Sequence, residues 1–197
     1  MSEPSIPSAP EPMNVEAFIA WALAQPEGQH YELQDGRVVA MAPERAGHAR
    51  LKAEVWAALR AGIRAKGLRC EAFPDGMTVR IDERTAFEPD ALVRCGDPLA
   101  NDTVVVPDPV LVVEVRSPST GARDAGAKLA DYFRLPSIVH YLIVRTDRPA
   151  VIHHRRATAG SIETTILGGG TLVLDPPGLD LDLDRIYREA APSEAPP

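Results

Sequence analysis

No run in the 197-residue chain approaches the roughly 20 consecutive apolar residues of a membrane-spanning helix, and the N-terminus has no basic segment followed by an apolar one. Neither an anchor nor a secretory signal is expected, and the expected location is cytoplasmic. Cysteine is scarce. The spacing of Cys70 and Cys95 indicates neither a disulfide framework nor a metal knuckle, so two reduced, partly buried thiols are expected. An excess of basic residues is also missing: 21 lysines and arginines face 28 aspartates and glutamates, for a formal net charge of -7. Nucleic-acid binders ordinarily show a basic footprint, so any such binding must use a local patch. There is no Gly-rich phosphate loop, nucleophilic serine motif or zinc-ligand spacing, and the GGG at 168–170 leads into a strand and reads as a turn.

What is present fits a soluble globular chain with 45% hydrophobic and 25% charged residues, long enough for one sizeable core. The expected organisation is a single domain over 13–190, with mobile Pro-, Ser- and Glu-rich tails at 1–12 and 191–197. Asn14 can cap a short helix carrying Val15, Phe18, Ile19 and Leu23. In YELQDGRVVAMA the Asp35-Gly36 pair predicts a hairpin. Leu51, Val55, Leu59 and Ile63 recur at steps of four and predict an amphipathic helix over 46–66, stopped by Gly67. Its cations Arg50, Lys52, Arg60, Arg64 and Lys66 form the best candidate DNA-facing patch, although Glu44 and Glu54 dilute it.

Strands are expected at 77–82 and 90–95, then at VLVVEVRS, the most apolar segment of the chain. A helix follows in STGARDAGAKLADYFRL, with Leu129, Tyr132 and Phe133 inward, and then the strands VHYLIVR, AVIHHRR, IETTIL and TLVL. A strand joined through a helix to the next strand is the βαβ arrangement that buries both, so the fold class is mixed α/β.

The apolar strand contains Glu114 and Arg116. An ionised carboxylate among Val112, Val113 and Val115 loses hydration at a cost of several kcal/mol unless a cation or strong donors compensate. An ion pair of Glu114 with Arg116 is one solution. A second arises from FEPDALV, where Asp90 opens the preceding strand: adjacent strands would bring both carboxylates to one end of the sheet. Converging carboxylates either hold a proton or share a divalent cation, and a hard ion such as Mg²⁺ suits them. Metal-assisted attack of water on a phosphodiester is the chemistry this favours. Pro-Asp also occurs at Asp75 and Asp108, but Asp108 is too close to the same strand and Asp75 reads as a turn residue.

EPD followed by VVEVRSPST, RDAGAKLADY and VHYLIV, with YELQDGRVVAMAP and His48 upstream, resembles a bacterial family of restriction-endonuclease-like proteins in the PD-(D/E)xK nuclease superfamily, over roughly residues 14 to 188. The resemblance implies a restriction-endonuclease-like mixed central β-sheet flanked by helices, and an Mg²⁺-dependent endonuclease site, with Mn²⁺ as substitute, acting on DNA. Asp90 and Glu114 are its implied metal ligands. The superfamily pattern has a lysine two residues after the glutamate, where this chain has Arg116. Arginine keeps the charge but cannot accept a proton at neutral pH. Lys128 matches a family position that supplies a migrated lysine, so the cationic partner is Lys128 or Arg116. Glu32 matches an acidic position and is implied as an accessory metal or water contact.

Other readings stand beside these. Lys128 lies four residues after Asp124, where an exposed helix-surface pair is worth little. His48 shares the inward face of its helix, where a lone histidine is more often a hydrogen-bonded core residue than a ligand. His153 and His154 point to opposite sides of one strand and cannot share a metal. Two rival functions follow: a catalytically impaired nuclease fold serving as a DNA-binding or regulatory module, and a dimeric structural or toxin-like partner protein, a homodimer being one form, whose Glu114 is neutralised by Arg116.

Overall fold

The computed structural model describes residues 12–26, 28–116 and 122–192, so the expected tails fall almost wholly outside it. The first helix, α1 (Val15–Leu23), is capped by the Asn14 side chain, which accepts from the Ala17 N–H at 2.9 Å. The hairpin β1 (Tyr31–Gln34) and β2 (Arg37–Ala40) turns at Asp35 and Gly36, whose φ values of 50° and 81° are the left-handed conformations that Asp-Gly favours. The long helix α2 (Ala46–Ala65) follows. Next come β3 (Cys70–Pro74), β4 (Val79–Arg80), β5 (Ala86–Phe87), β6 (Ala91–Cys95) and β7 (Pro109–Arg116). Helix α3 (Ala122–Tyr132) carries the chain to β8 (His140–Arg145), after which β9 (Val151–Arg156), β10 (Ile162–Leu167), β11 (Thr171–Leu174), β12 (Leu179–Asp182) and α4 (Leu183–Ala190) complete it.

The central sheet has the order β10-β9-β8-β7-β6-β3. Its pairs are antiparallel except β7 with β8, which run parallel because α3 crosses between them. A smaller sheet, β2-β1-β5-β4, stands apart from it, and β11 with β12 forms a third. Strand β7 is buried on both faces. Leu111, Val113 and Val115 pack in one core with Leu51, Val55, Leu59 and Ile63 of α2, whereas Val112 packs in the other with Leu92, Tyr132, Phe133, Tyr141 and Ile143. Strand alternation therefore puts Glu114 on the Val112 side, toward α3.

Three expectations need correction, and further elements lie where none was expected. Cys70 and Cys95 form a disulfide, because the β3–β6 register sets them directly opposite with Cα atoms 3.9 Å apart. The strand over 77–82 shrinks to Val79–Arg80, since Thr85 carbonyl turns back to accept the Ile81 N–H at 2.9 Å. The edge strand β3, with its terminal Pro74, went unread, as did β12 and α4. The latter pair is coupled: Leu179 and Leu181 alternate inward, then Asp182 caps α4 by accepting from the Arg185 N–H at 2.9 Å. Finally, the cations of α2 do not form one open face. Lys52 is buried, Lys66 binds Asp180 and the Gly178 carbonyl, and Arg50 donates to the Ala190 carbonyl at 3.2 Å.

Candidate active site

Strands β6 and β7 pair with Ala91 opposite Val113, so continuing the register by one step sets Asp90 opposite Glu114. One Asp90 carboxylate oxygen, Oδ2, accepts the Val115 N–H at 2.6 Å, which fixes the aspartate against the end of β7. Both carboxylates are buried, at 5% and 7% exposure. The sequence expectation that they converge at one sheet end is what the geometry has.

Helix α3 supplies what Glu114 lacks. Lys128 Nζ donates to Glu114 Oε1 at 3.0 Å and to Glu32 Oε1 at 2.6 Å, and the Tyr132 hydroxyl donates to Glu114 Oε1 at 2.9 Å. Arg116 Nη2 reaches Glu114 Oε2 at 3.4 Å. Lysine 128 is thus the closer cation, and at 5% exposure it is buried rather than on the helix surface; the Asp124 side chain expected to pair with it lies outside the described residues. Lys128 and Tyr132 are one helical turn apart, which is why both reach the same oxygen. Glu32 arrives from the smaller sheet, where the backbone of Glu88 also donates to its Oε1 at 3.3 Å.

The electrostatics follow from burial. Loss of hydration pushes the Glu114 carboxyl above its ordinary range; the Lys128 charge opposes this, while Asp90 and Glu32 add to it. For Lys128, burial favours the neutral amine, but the charges of Glu114 and Glu32 and the bonds to them more than reverse this, so it stays an ammonium.

Helix α2 closes the other side of Asp90. His48 Nε2 lies 3.4 Å from Asp90 Oδ2, and that bond raises the imidazole above its usual range against the opposing effect of burial. His48 is half-buried at the site rather than enclosed in the core. Its ring, Glu44 and Asp90 each offer a ligand atom, all within 4.8 Å of one another; His30, Asp75 and Glu88 form a second such group. Among the described residues, Glu114 and Glu32 join no such group of three, and both are bonded by Lys128.

Lys52, Glu44, Asp75 and Tyr132 belong to this site although the sequence pattern does not mark them as site residues. Lys52 was placed on the DNA-facing surface and Asp75 in a turn, yet Lys52 Nζ bonds Glu44 and, at 2.7 Å, Asp75. Tyr132 was read only as core. A signal existed for Lys52: it lies four residues after His48 on α2, so the two share one helix face. His153 and His154 do part company as expected, the first bonding His140 at 2.9 Å and the second Thr164 at 2.8 Å.

Comparison with known proteins bears on this geometry. The family model "Uma2: Putative restriction endonuclease" matches residues 15–185. An uncharacterized protein of Synechocystis sp. is 28% identical over 188 residues, covering 94% of this chain and 97% of its own length. The crystal structure of a protein from Anabaena variabilis, described as a "putative nuclease belonging to DUF820", superposes with a TM-score of 0.71 at 14% identity, over 91% of this chain and 100% of that one. At that identity the likeness shows the fold alone. Since the family model spans most of its length, the chain belongs to the Uma2 family of restriction-endonuclease-like proteins.

Proposed function

We propose that the chain is a divalent-metal-dependent endonuclease that hydrolyses DNA phosphodiester bonds, with Asp90 and Glu114 as the cation-binding pair. The observation that carries the reading is one buried cluster of three carboxylates, Glu32, Asp90 and Glu114, served by the ammonium of Lys128. Lys128 and Arg116 serve Glu114 and Glu32, whereas among the described residues Asp90 has as side-chain partners only Lys52 at 4.0 Å and the His48 ring at 3.4 Å, so Asp90 is where a hard cation would enter in exchange for these weaker contacts. The donor set fits such an ion. Asp90 Oδ1 has a cation, Lys52, no nearer than 4.0 Å, and His48 and Glu44 lie beside it as further ligand positions.

A bound Mg²⁺ or Mn²⁺ would polarise the phosphate and lower the pKa of coordinated water. The protein's own groups would do the rest. Glu114, held by Lys128, Tyr132 and Arg116, keeps its carboxylate aimed at the end of β7 beside Asp90. Lys128 and Arg116 stay protonated, so their part is to stabilise charge on the phosphate rather than to take a proton from water. Glu32 positions Lys128 through its 2.6 Å bond and acts as an accessory water or metal contact.

One observation favours a second reading. Lys128 is engaged by both Glu32 and Glu114, which also describes a closed structural ion triad. A DNA-binding or regulatory module with a silent site would then retain metal binding without cleavage. Calorimetric titration of Mg²⁺ and Mn²⁺ into the wild type, Asp90→Ala and Glu114→Ala, with plasmid nicking by the same samples, separates the readings. Binding and nicking that are both lost in the variants support the endonuclease. Binding without nicking favours the module, and wild-type protein that takes up no ion overturns the metal site.

A further inference from the structure

Lys52 is the cation that the endonuclease reading leaves without a task. It sits on α2 one turn beyond His48, and its side chain is 11% exposed. Its Nζ bonds Glu44, lies 2.7 Å from Asp75 Oδ2 and stands 4.0 Å from Asp90 Oδ1. Glu44 and Asp90 are two members of the ligand-competent group completed by His48. The ammonium therefore bonds one of the carboxylates that a divalent ion would need and lies 4.0 Å from another.

A buried lysine ordinarily tends toward the neutral form. Here Nζ is held by hydrogen bonds to the Glu44 and Asp75 carboxylates, contacts that favour the ammonium. A fixed positive charge a few ångströms from an incoming dication repels it, and so close a pair is only partly screened by salt. Asp75 contacts the lysine but is not in the group with Asp90, so it acts as an anchor that draws the ammonium aside. A cavity of about 480 Å³ is lined by Glu44, Lys52, Asp75, His30, Tyr31 and Met41. It gives the ammonium somewhere to move when the carboxylates change partner.

We propose that Lys52 is a tethered counter-cation of the Asp90 site: it neutralises Glu44 and Asp90 in the metal-free protein and competes with the divalent ion for them. Lys52 is a positioning residue in this role, and its effect is on ion affinity. The inference rests on the reading of Asp90 as a metal ligand.

The test is calorimetric titration of Mn²⁺ into the full chain as wild type, Lys52→Met, Lys52→Arg and Asp90→Ala, each first checked for a cooperative thermal melt. Removing the charge in Lys52→Met is expected to tighten Mn²⁺ binding about tenfold or more, while Lys52→Arg, which keeps it, stays near wild type. If Lys52→Met fails to melt cooperatively, Lys52→Gln, which also removes the charge, carries the test and is expected to tighten Mn²⁺ binding in the same way. Equal or weaker binding by the charge-free Lys52 variant that melts cooperatively would overturn the role of Lys52 while leaving the metal site intact. Absence of Mn²⁺ binding in every sample would overturn the metal site itself, and the competition with it.

Discussion

At the residue scale the question is why a carboxylate is tolerated inside β7. The physical need was legible in the sequence, because Glu114 among valines demands a cation. The identity of that cation was not. Arg116 is nearer in the chain, but two residues along a strand place the guanidinium 3.4 Å from Glu114, whereas Lys128 on α3 approaches to 3.0 Å and also binds Glu32. Only the packing of α3 across the sheet decides this. Removing Lys128 leaves two buried carboxylates without their shared ammonium, and losing one member of a buried pair costs about 3–5 kcal/mol. Lys128→Met is therefore expected to destabilise the fold by that amount in urea unfolding. Glu114→Gln, which leaves the Lys128 bond to Glu32 in place, should cost clearly less. Equal costs would mean that Glu32 does not hold the lysine.

At the element scale, the β7–α3–β8 crossover and the inward stripe of α2 were readable from periodicity, and both were found. The failures share a cause, which is that they depend on partners distant in sequence. The side of α2 that Lys52 occupies depends on Asp75 and Asp90, and the disulfide of Cys70 with Cys95 depends on the β3–β6 register. A similar long-range pairing joins β8 to β9. His140 and His153 bond each other, and His140 also bonds the Pro176 carbonyl at 2.8 Å. Burial pushes each imidazole down to about 4, with the neighbouring His153 and Arg155 charges adding to it respectively. The unfolded chain, whose histidines titrate near 6.5, takes up protons first. The stability from this pair is complete above about pH 6.5 and is lost as the pH falls toward about 4. Urea midpoints are expected to drop by the equivalent of on the order of 2 kcal/mol between about pH 7 and about pH 5, allowing for partial solvent contact. His153→Gln should flatten that dependence. A midpoint unchanged across this range in the wild type would show that the imidazoles are not held neutral.

At the scale of the whole molecule, no helix among the described residues is long and apolar enough to cross a membrane, and the net charge of -7 constrains any nucleic-acid partner. The basic helix expected to face DNA is largely occupied: Arg50, Lys52 and Lys66 have protein partners, and Arg60 lies over the Trp56 ring at 5.3 Å. Few phosphates can then be neutralised, so DNA affinity is expected to fall by no more than about tenfold between roughly 50 and 200 mM salt. A fall of about a thousandfold, read by fluorescence anisotropy, would point to a basic surface elsewhere than on α2. The most direct test of the central claim, that Asp90 and Glu114 form a divalent-cation site, is an anomalous difference map from crystals soaked in Mn²⁺. The account predicts a peak within coordination distance of Asp90, with Glu114 beside it and absent in Asp90→Ala crystals. No peak there, or a peak only between His30, Asp75 and Glu88, would contradict it.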